Sequence, residues 1–329
     1  MKLIGKLFMH NNQTKYKKTN MFSLYLRRVT AMSAICFCVG FLAAQSGGIT
    51  TKDSKAKEAI DAAHKALGGA DKIGGVKSLV IKGTETRASF TSSGGGPMTK
   101  TGSTTQDFEI RILLPDNIIK IENFPERTMG GISIPARTTY SGISKGSPLA
   151  NNAVMTGFAG TGNIQKLDVD PETAAKAQAA AANTQIDEWS RFLTGILAKA
   201  GPAPLTLSSG STPGVFTLIK SDGNVGEIEF DSKTGYPSVI KYKARGSALL
   251  NMAKGPSGKT SMSFNMADMS DMSDMVDNEI RFRDRFSVNG IMFPKIITMT
   301  GPTMDREMRI ETVQINPNLS LKDFEVPKQ

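Results

Sequence analysis

The sequence predicts an α+β protein built mainly from antiparallel strands, and three observations predict it. Short segments alternate apolar and polar residues, as in Phe108, Ile110 and Ile112 against Asp107, Glu109 and Arg111; period two is the signature of a half-buried strand. Turn signals follow one another closely, with Asn289-Gly290 the strongest of them. Two stretches carry helical spacing instead, one short and one long.

The first 46 residues read as a secretory signal peptide. Arg27 and Arg28 precede an apolar run that ends in Leu42-Ala43-Ala44-Gln45-Ser46. The run is about 16 residues, short of the ~20 that span a bilayer. Cleavage after Ala44 or after Ser46 fits the small-x-small pattern, and Met21 is an alternative start. The leader holds both cysteines and seven of the 40 basic residues but no acid. Removing it leaves 33 basic against 30 acidic residues. Charge is then mixed along the chain with no basic stripe carrying aromatics, which argues against a nucleic-acid partner. Without cysteine the remaining chain has no disulfide and no thiolate metal site.

Residues 47–329 are expected to form a single domain. Ala56, Ala59, Ile60, Ala63 and Leu67 make a helical stripe over Thr51 to Leu67, with Asp53 or Ser54 as cap and Gly68-Gly69 as stop. A short turn at Ala70 to Ile73 leads into a strand at Ser78 to Gly83. Residues 91–104, rich in Gly, Ser and Thr, read as a hairpin loop. Asp107–Ile112 is a strand, and Pro115-Asp116-Asn117 turns it into a return strand carrying Ile119, Ile121 and Asn123 on one face. Residues 125–168 admit two short strands.

Asp170 and Pro171 open the long helix and Gly201-Pro202 closes it, with Asn183-Thr184 the place for a bend. Its second half sets Ile186, Trp189, Phe192, Leu193, Ile196 and Leu197 on one face. Strands return at Leu205–Leu207, Val215–Ile219, Val225–Phe230, Ser238–Tyr242, Glu279–Ser287, Ile291–Thr300 and Arg306–Ile315. Between them lies a Met/Asp-rich insertion at about 246–277.

Several motifs in order resemble the periplasmic lipoprotein-carrier superfamily, the outer-membrane lipoprotein-sorting proteins. Near the start are Ala66-Leu67-Gly68-Gly69 and Leu79-x-Ile81-x-Gly83, then Asp231-x-Lys233-Thr234-Gly235-Tyr236-Pro237. The C-terminal run is Phe282-x-Asp284-x-Phe286-x-Val288-Asn289-Gly290-Ile291-x-Phe293-Pro294. Val313-x-Ile315-Asn316-Pro317-Asn318-Leu319 and Phe324-x-Val326-Pro327 follow. The resemblance implies a strongly curved antiparallel β-sheet, an incomplete barrel, with helices packed in its mouth. It also implies an apolar cavity for acyl chains and no catalysis. The greater length and the Met-rich insertion depart from the small carriers, and no functional residue is carried over.

The residues reach a compatible expectation unaided. A curved sheet needs its concave face filled, and a partly filled one leaves a lipid-sized pocket. Ile186, Trp189, Phe192, Leu193 and Ile196 are the candidate cavity-lining residues, with a plain core role the alternative. The expected partner is a lipid or lipoprotein acyl chain in the periplasm or cell envelope. The alternative is a structural or protein-interaction module of the envelope, with a packed core and a protein partner. No cofactor is implied. His64 is the only histidine after the leader, which leaves little for a nucleophilic or histidine-metal site. Asp107, Glu109, Glu227 and Glu229 alternate with core positions and read as a solvated face rather than a hydrolytic pair. Met266, Met269, Met272 and Met275 recur every three residues; thioethers suit Cu(I), and equally a partner contact or an acidic loop.

Overall fold

The computed structural model describes residues 49–91, 99–129, 132–145, 147–149, 171–245, 251–254, 260–263, 275–302 and 304–327. The chain divides between Ser46 and Gly47, and the account below concerns the second unit. Helix α1 (Ser54–Leu67) starts at Asp53, whose carboxylate accepts the Ala56 N–H at 2.9 Å. It buries Ala56, Ile60, Ala63 and Leu67, the stripe its spacing predicts. Gly68 ends it at φ 123°. A Cβ there would lie 2.1 Å from the Gly290 carbonyl oxygen, so a side chain would force the helix off the hairpin beneath it. A short helix, α2 (Ala70–Gly74), follows.

One curved, unclosed sheet of 13 strands makes the body of the unit. Its first half in sequence is β1 (Thr50–Thr51), β2 (Ser78–Thr91), β3 (Thr99–Leu113) and β4 (Asn117–Phe124). A separate ribbon, β5 (Arg127–Met129) with β6 (Ile132–Ile134), precedes β7 (Arg137–Ser144) and β8 (Ser147–Pro148). Helix α3 (Pro171–Leu197) then leads to β9 (Thr206–Ser209), β10 (Val215–Lys220), β11 (Gly223–Phe230) and β12 (Pro237–Arg245). A second ribbon, β13 (Asn251–Lys254) with β14 (Thr260–Ser263), stands apart. The last strands are β15 (Met275–Val288), β16 (Ile291–Gly301) and β17 (Met304–Ile315).

The spatial order is β1-β9-β10-β11-β12-β15-β16-β17-β2-β3-β4-β7-β8. Every pair is antiparallel except β1 with β9, so the sheet is mostly a meander of hairpins. The pairing of β17 with β2 closes the C-terminal half onto the N-terminal half. Helix α3 meets β7 and β8 at one flank, β11 and β12 at the other, and β16 between them. One face of the sheet is therefore concave around that helix. A single cluster of buried side chains joins α1, α3 and this face. Gly195 lets α3 come close: a Cβ there would lie 1.9 Å from the Phe282 ring.

Register assigns the faces. Leu79, Ile81, Gly83, Glu85 and Arg87 of β2 stand opposite Ile112, Ile110, Phe108, Gln106 and Thr104 of β3. Ile118, Lys120 and Glu122 of β4 extend the same rows. These residues face inward. Ile119 and Ile121, whose alternation the sequence displays, lie on the convex side. There Val80, Ile119 and Phe324 are buried apart from the main cluster, and a short 3-10 helix (Leu321–Phe324) docks on β4.

Several expectations are corrected. The hairpin loop is narrower than 91–104, because Thr91 pairs with Thr99 and the ladder runs on from there. Thr-rich, β-branched sequence fits a pleated strand as readily as a loop. Strand β2 continues eight residues past Gly83, since polar residues occupy inward positions there. Helix α3 is continuous through Asn183-Thr184, with the Thr184 hydroxyl donating to the Ala180 carbonyl at 2.9 Å. The 246–277 insertion ends earlier than expected: Met275, Val276 and Asp277 pair with Arg245, Ala244 and Lys243. The rest of it contains the β13–β14 ribbon.

Candidate ligand-binding face

The second half of α3 packs its apolar side against the sheet. Trp189, Phe192, Leu193 and Ile196 are buried, and Ile186 is half-buried at the rim. Spacings of three and four residues put them on one side of a helix. Trp189 and Phe192 meet edge to face with ring centroids 5.6 Å apart. Below them lies a void of about 20 Å³, lined by Ile110, Lys120, Glu188, Trp189, Phe192, Met299 and Met308. That is room for one water. Small-molecule pockets are typically ~300 Å³ or more, so this void is far below that size.

Beyond the void the concave face becomes charged. Arg87 donates through Nε to Glu85 at 2.6 Å and through Nη2 to Glu122. Lys120 pairs with Glu85 and, at 2.9 Å, with Glu122. Two carboxylates and two cations thus form a closed network at the edge of the core. Burial alone would raise the Glu85 carboxyl; the Lys120 ammonium and the Arg87 guanidinium outweigh it and hold it down at about 2. Gln106 stands directly across from Glu85, 2% exposed, and neither its carbonyl oxygen nor its amide nitrogen has a partner among the described residues. A buried amide left unpaired costs ~1–3 kcal/mol.

Helix α3 is also held by polar links. Arg191, 5% exposed, donates from Nη1 to the Val225 carbonyl at 2.9 Å and lies 3.9 Å from the Tyr242 ring centre. Its Nε has no partner among the described residues, and burial depresses its pKa. Asp187 accepts from Lys220 at 2.7 Å. Past the helix end, Lys199 donates to the Ile73 and Val76 carbonyls, and burial lowers its pKa. His64 lies with Nε2 2.9 Å from the Ala198 carbonyl oxygen. The sole histidine outside residues 1–46 thus ties α1 to the end of α3.

The structure brings all five sequence-predicted residues together on the concave side. Sequence reasoning missed Glu85, Arg87, Gln106, Lys120, Glu122 and Arg191. Their signal was parity: Glu85 and Arg87 share the inward alternation of Leu79 and Ile81, and Lys120 that of Ile118. Met266, Met269 and Met272 lie outside the described residues; Met275 opens β15 opposite Arg245. Among the described residues no three His, Cys, Asp or Glu side chains are grouped to hold a metal. An open groove of about 500 Å³ on the sheet is lined by Glu227, Lys241, Tyr242, Asp277, Asn278, Glu279, Thr300 and Gly301, with polar and apolar surface mixed. No helix among the described residues is long and apolar enough to cross a membrane.

No known family profile matches the chain, and no curated protein matches it. Solved structures with a similar outline include a LolA superfamily protein from Nitrosomonas europaea, 10% identical with a TM-score of 0.38. An outer membrane lipoprotein-sorting protein domain from Vibrio parahaemolyticus is 9% identical with a TM-score of 0.36. A DUF1329 family protein from Desulfovibrio piger is 9% identical with a TM-score of 0.31. Each alignment covers 82% of this chain and 97% of the other.

Proposed function

We propose that the protein is an exported cell-envelope protein that binds the acyl chain of a lipid or lipoprotein on the concave face, without catalysis. One observation carries this reading: a curved, unclosed sheet packs one face against a single amphipathic helix, α3. In this reading α1 and α3 sit in the sheet's mouth. Trp189, Phe192, Leu193 and Ile196 stand where an acyl chain lies in the loaded protein, and Ile186 guards the rim. Exchange of one apolar filling for another costs little, since burial contributes ~25 cal/mol per Å² for either. Residues 1–46 are removed on export, with the new N-terminus near Gln45 or Gly47, which N-terminal sequencing of periplasmic protein checks.

A second reading is favoured by the 20 Å³ void: an envelope interaction module whose core is packed for good and whose partner is a protein. The two separate experimentally. Native mass spectrometry of protein purified from its own envelope should show bound lipid, and a long-chain phospholipid added to delipidated protein should shift Trp189 emission. Protein free of lipid that also leaves Trp189 unchanged on titration establishes the second reading.

A further inference from the structure

The geometry points to a subsite for an anionic headgroup at the charged end of the concave face, formed by Arg306, Gln106 and Arg87. It rests on the lipid reading above and specifies the class of lipid: an amphiphile carrying a phosphate or carboxylate.

Register places the three together. Arg306 is the direct cross-strand neighbour of Arg87 on one side and of Met299 on the other. Gln106 lies across from Glu85, one inward position along from Arg87. Arg87 is committed to two carboxylates. Arg306 forms no salt bridge with a carboxylate among the described residues; its charge bears on the Tyr242 phenol, and it stands opposite a second guanidinium. Like charges directly opposed in a sheet are destabilising, and an oxyanion between them relieves this. Neighbouring strands are ~4.8 Å apart and successive inward residues ~6.6 Å apart. Arg306 on β17 and Gln106 on β3 are thus about 10 Å apart across the sheet with Arg87 of β2 between them, so an oxyanion shared by the two lies over Arg87.

Gln106 is the second, independent observation. A buried carboxamide with no partner on either atom among the described residues has an unused donor as well as an unused acceptor. An oxyanion takes the donor; a headgroup hydroxyl supplies the acceptor's need. Apolar surface begins at once beside this group, for Met299 neighbours Arg306 and Met308 neighbours Glu85. Both methionines border the void under Trp189. A chain attached to the headgroup runs from there into the space held by Trp189 and Phe192. A free oxyanion offers the same charge but nothing for that apolar border, so the occupant is a lipid.

The test uses the full exported protein and two lipids with one chain. Trp189 emission is titrated with 1-oleoyl lysophosphatidylglycerol and with neutral 1-oleoylglycerol. The anionic lipid should bind ~10-fold or more tightly, the value of a charge-assisted hydrogen bond. Arg306→Gln should abolish that preference and leave the neutral lipid's affinity unchanged. Gln106→Leu should raise Tm, because it removes an unsatisfied buried amide, while weakening the anionic lipid several-fold; a purely structural glutamine would not move the two in opposite directions. Equal affinity for both lipids overturns the headgroup subsite and leaves the lipid reading standing. No response of Trp189 to either lipid overturns both. Inorganic phosphate that raises Tm of wild type but not of Arg306→Gln, with no lipid response, makes this a free-oxyanion site instead.

Discussion

Glu85 is completely buried at the charged edge of the core, and Lys120 and Arg87 hold its carboxyl down at about 2 against the usual 4.5. Burial opposes ionisation; Lys120 and Arg87 more than compensate. A carboxylate with a depressed folded-state pKa contributes stability above its unfolded value and loses it as pH falls toward the folded one. The Glu85 contribution is therefore complete above pH 4.5 and disappears between 4.5 and about 2. Glu85→Gln leaves two cations sharing Glu122. It should cost ~3 kcal/mol at neutral pH, as breaking a buried pair does, and its stability should vary less than wild type over that acid range. Denaturant unfolding at several pH values measures both; parallel pH profiles would mean the network titrates as a whole and not through Glu85. A second set of residues tests the core. Phe293 is wholly buried and Phe282 packs against Gly195. Alanine at either should cost ~3–5 kcal/mol, whereas Lys295→Ala, exposed on β16, should stay below ~0.5 kcal/mol. Gly68→Ala joins the costly class, since its Cβ would overlap the Gly290 carbonyl.

Hairpins were the part of the fold most readable in sequence. Asn289 and Gly290 sit at φ 50° and 75°, a tight turn's requirement, and the strands on either side pair from Val288↔Ile291 onward. Segment 231–237 closes through Asp231, whose carboxylate accepts from Lys233 and Thr234. Such turns are local, and local chemistry is legible. The inward polar residues were not, because Glu85 and Lys120 are stabilised by each other across three strands and no short window contains both. Helix α3 illustrates the same division: its apolar side was legible, its target was not. The Met/Asp-rich segment belongs at this scale too. Arg245 and Met275 face each other across β12 and β15, so residues 246–274 join two positions that a short turn can bridge. Replacing them with Asn-Gly should retain the fold and not lower stability, because shortening a loop recovers ~0.6 kcal/mol of closure entropy per halving. Far-UV dichroism and urea unfolding decide it; loss of cooperative unfolding would show that the segment packs on the core.

At the scale of the whole molecule the question is whether α3 is part of the fold or a tenant of it. Gly195 separates the alternatives. The residue sits where the helix approaches β15, and a Cβ there would lie 1.9 Å from the Phe282 ring, with further ring carbons at 2.3 and 2.4 Å. A buried ring cannot yield that far without moving neighbours, so Gly195→Ala strains the helix-filled state by ~1–3 kcal/mol. If α3 and lipid compete for one concave face, the strain falls on the empty protein and not on the loaded one. Differential stability then becomes affinity: each ~1.4 kcal/mol taken from the empty state raises lipid affinity ~10-fold. Gly195→Ala should accordingly lower Tm without lipid and bind phospholipid ~10-fold more tightly, read as lipid-dependent Tm and Trp189 emission. In a permanently packed module the same strain has no ligand to offset it, and only the fall in Tm is seen. A lower Tm with unchanged lipid affinity would therefore remove α3 from the binding equilibrium.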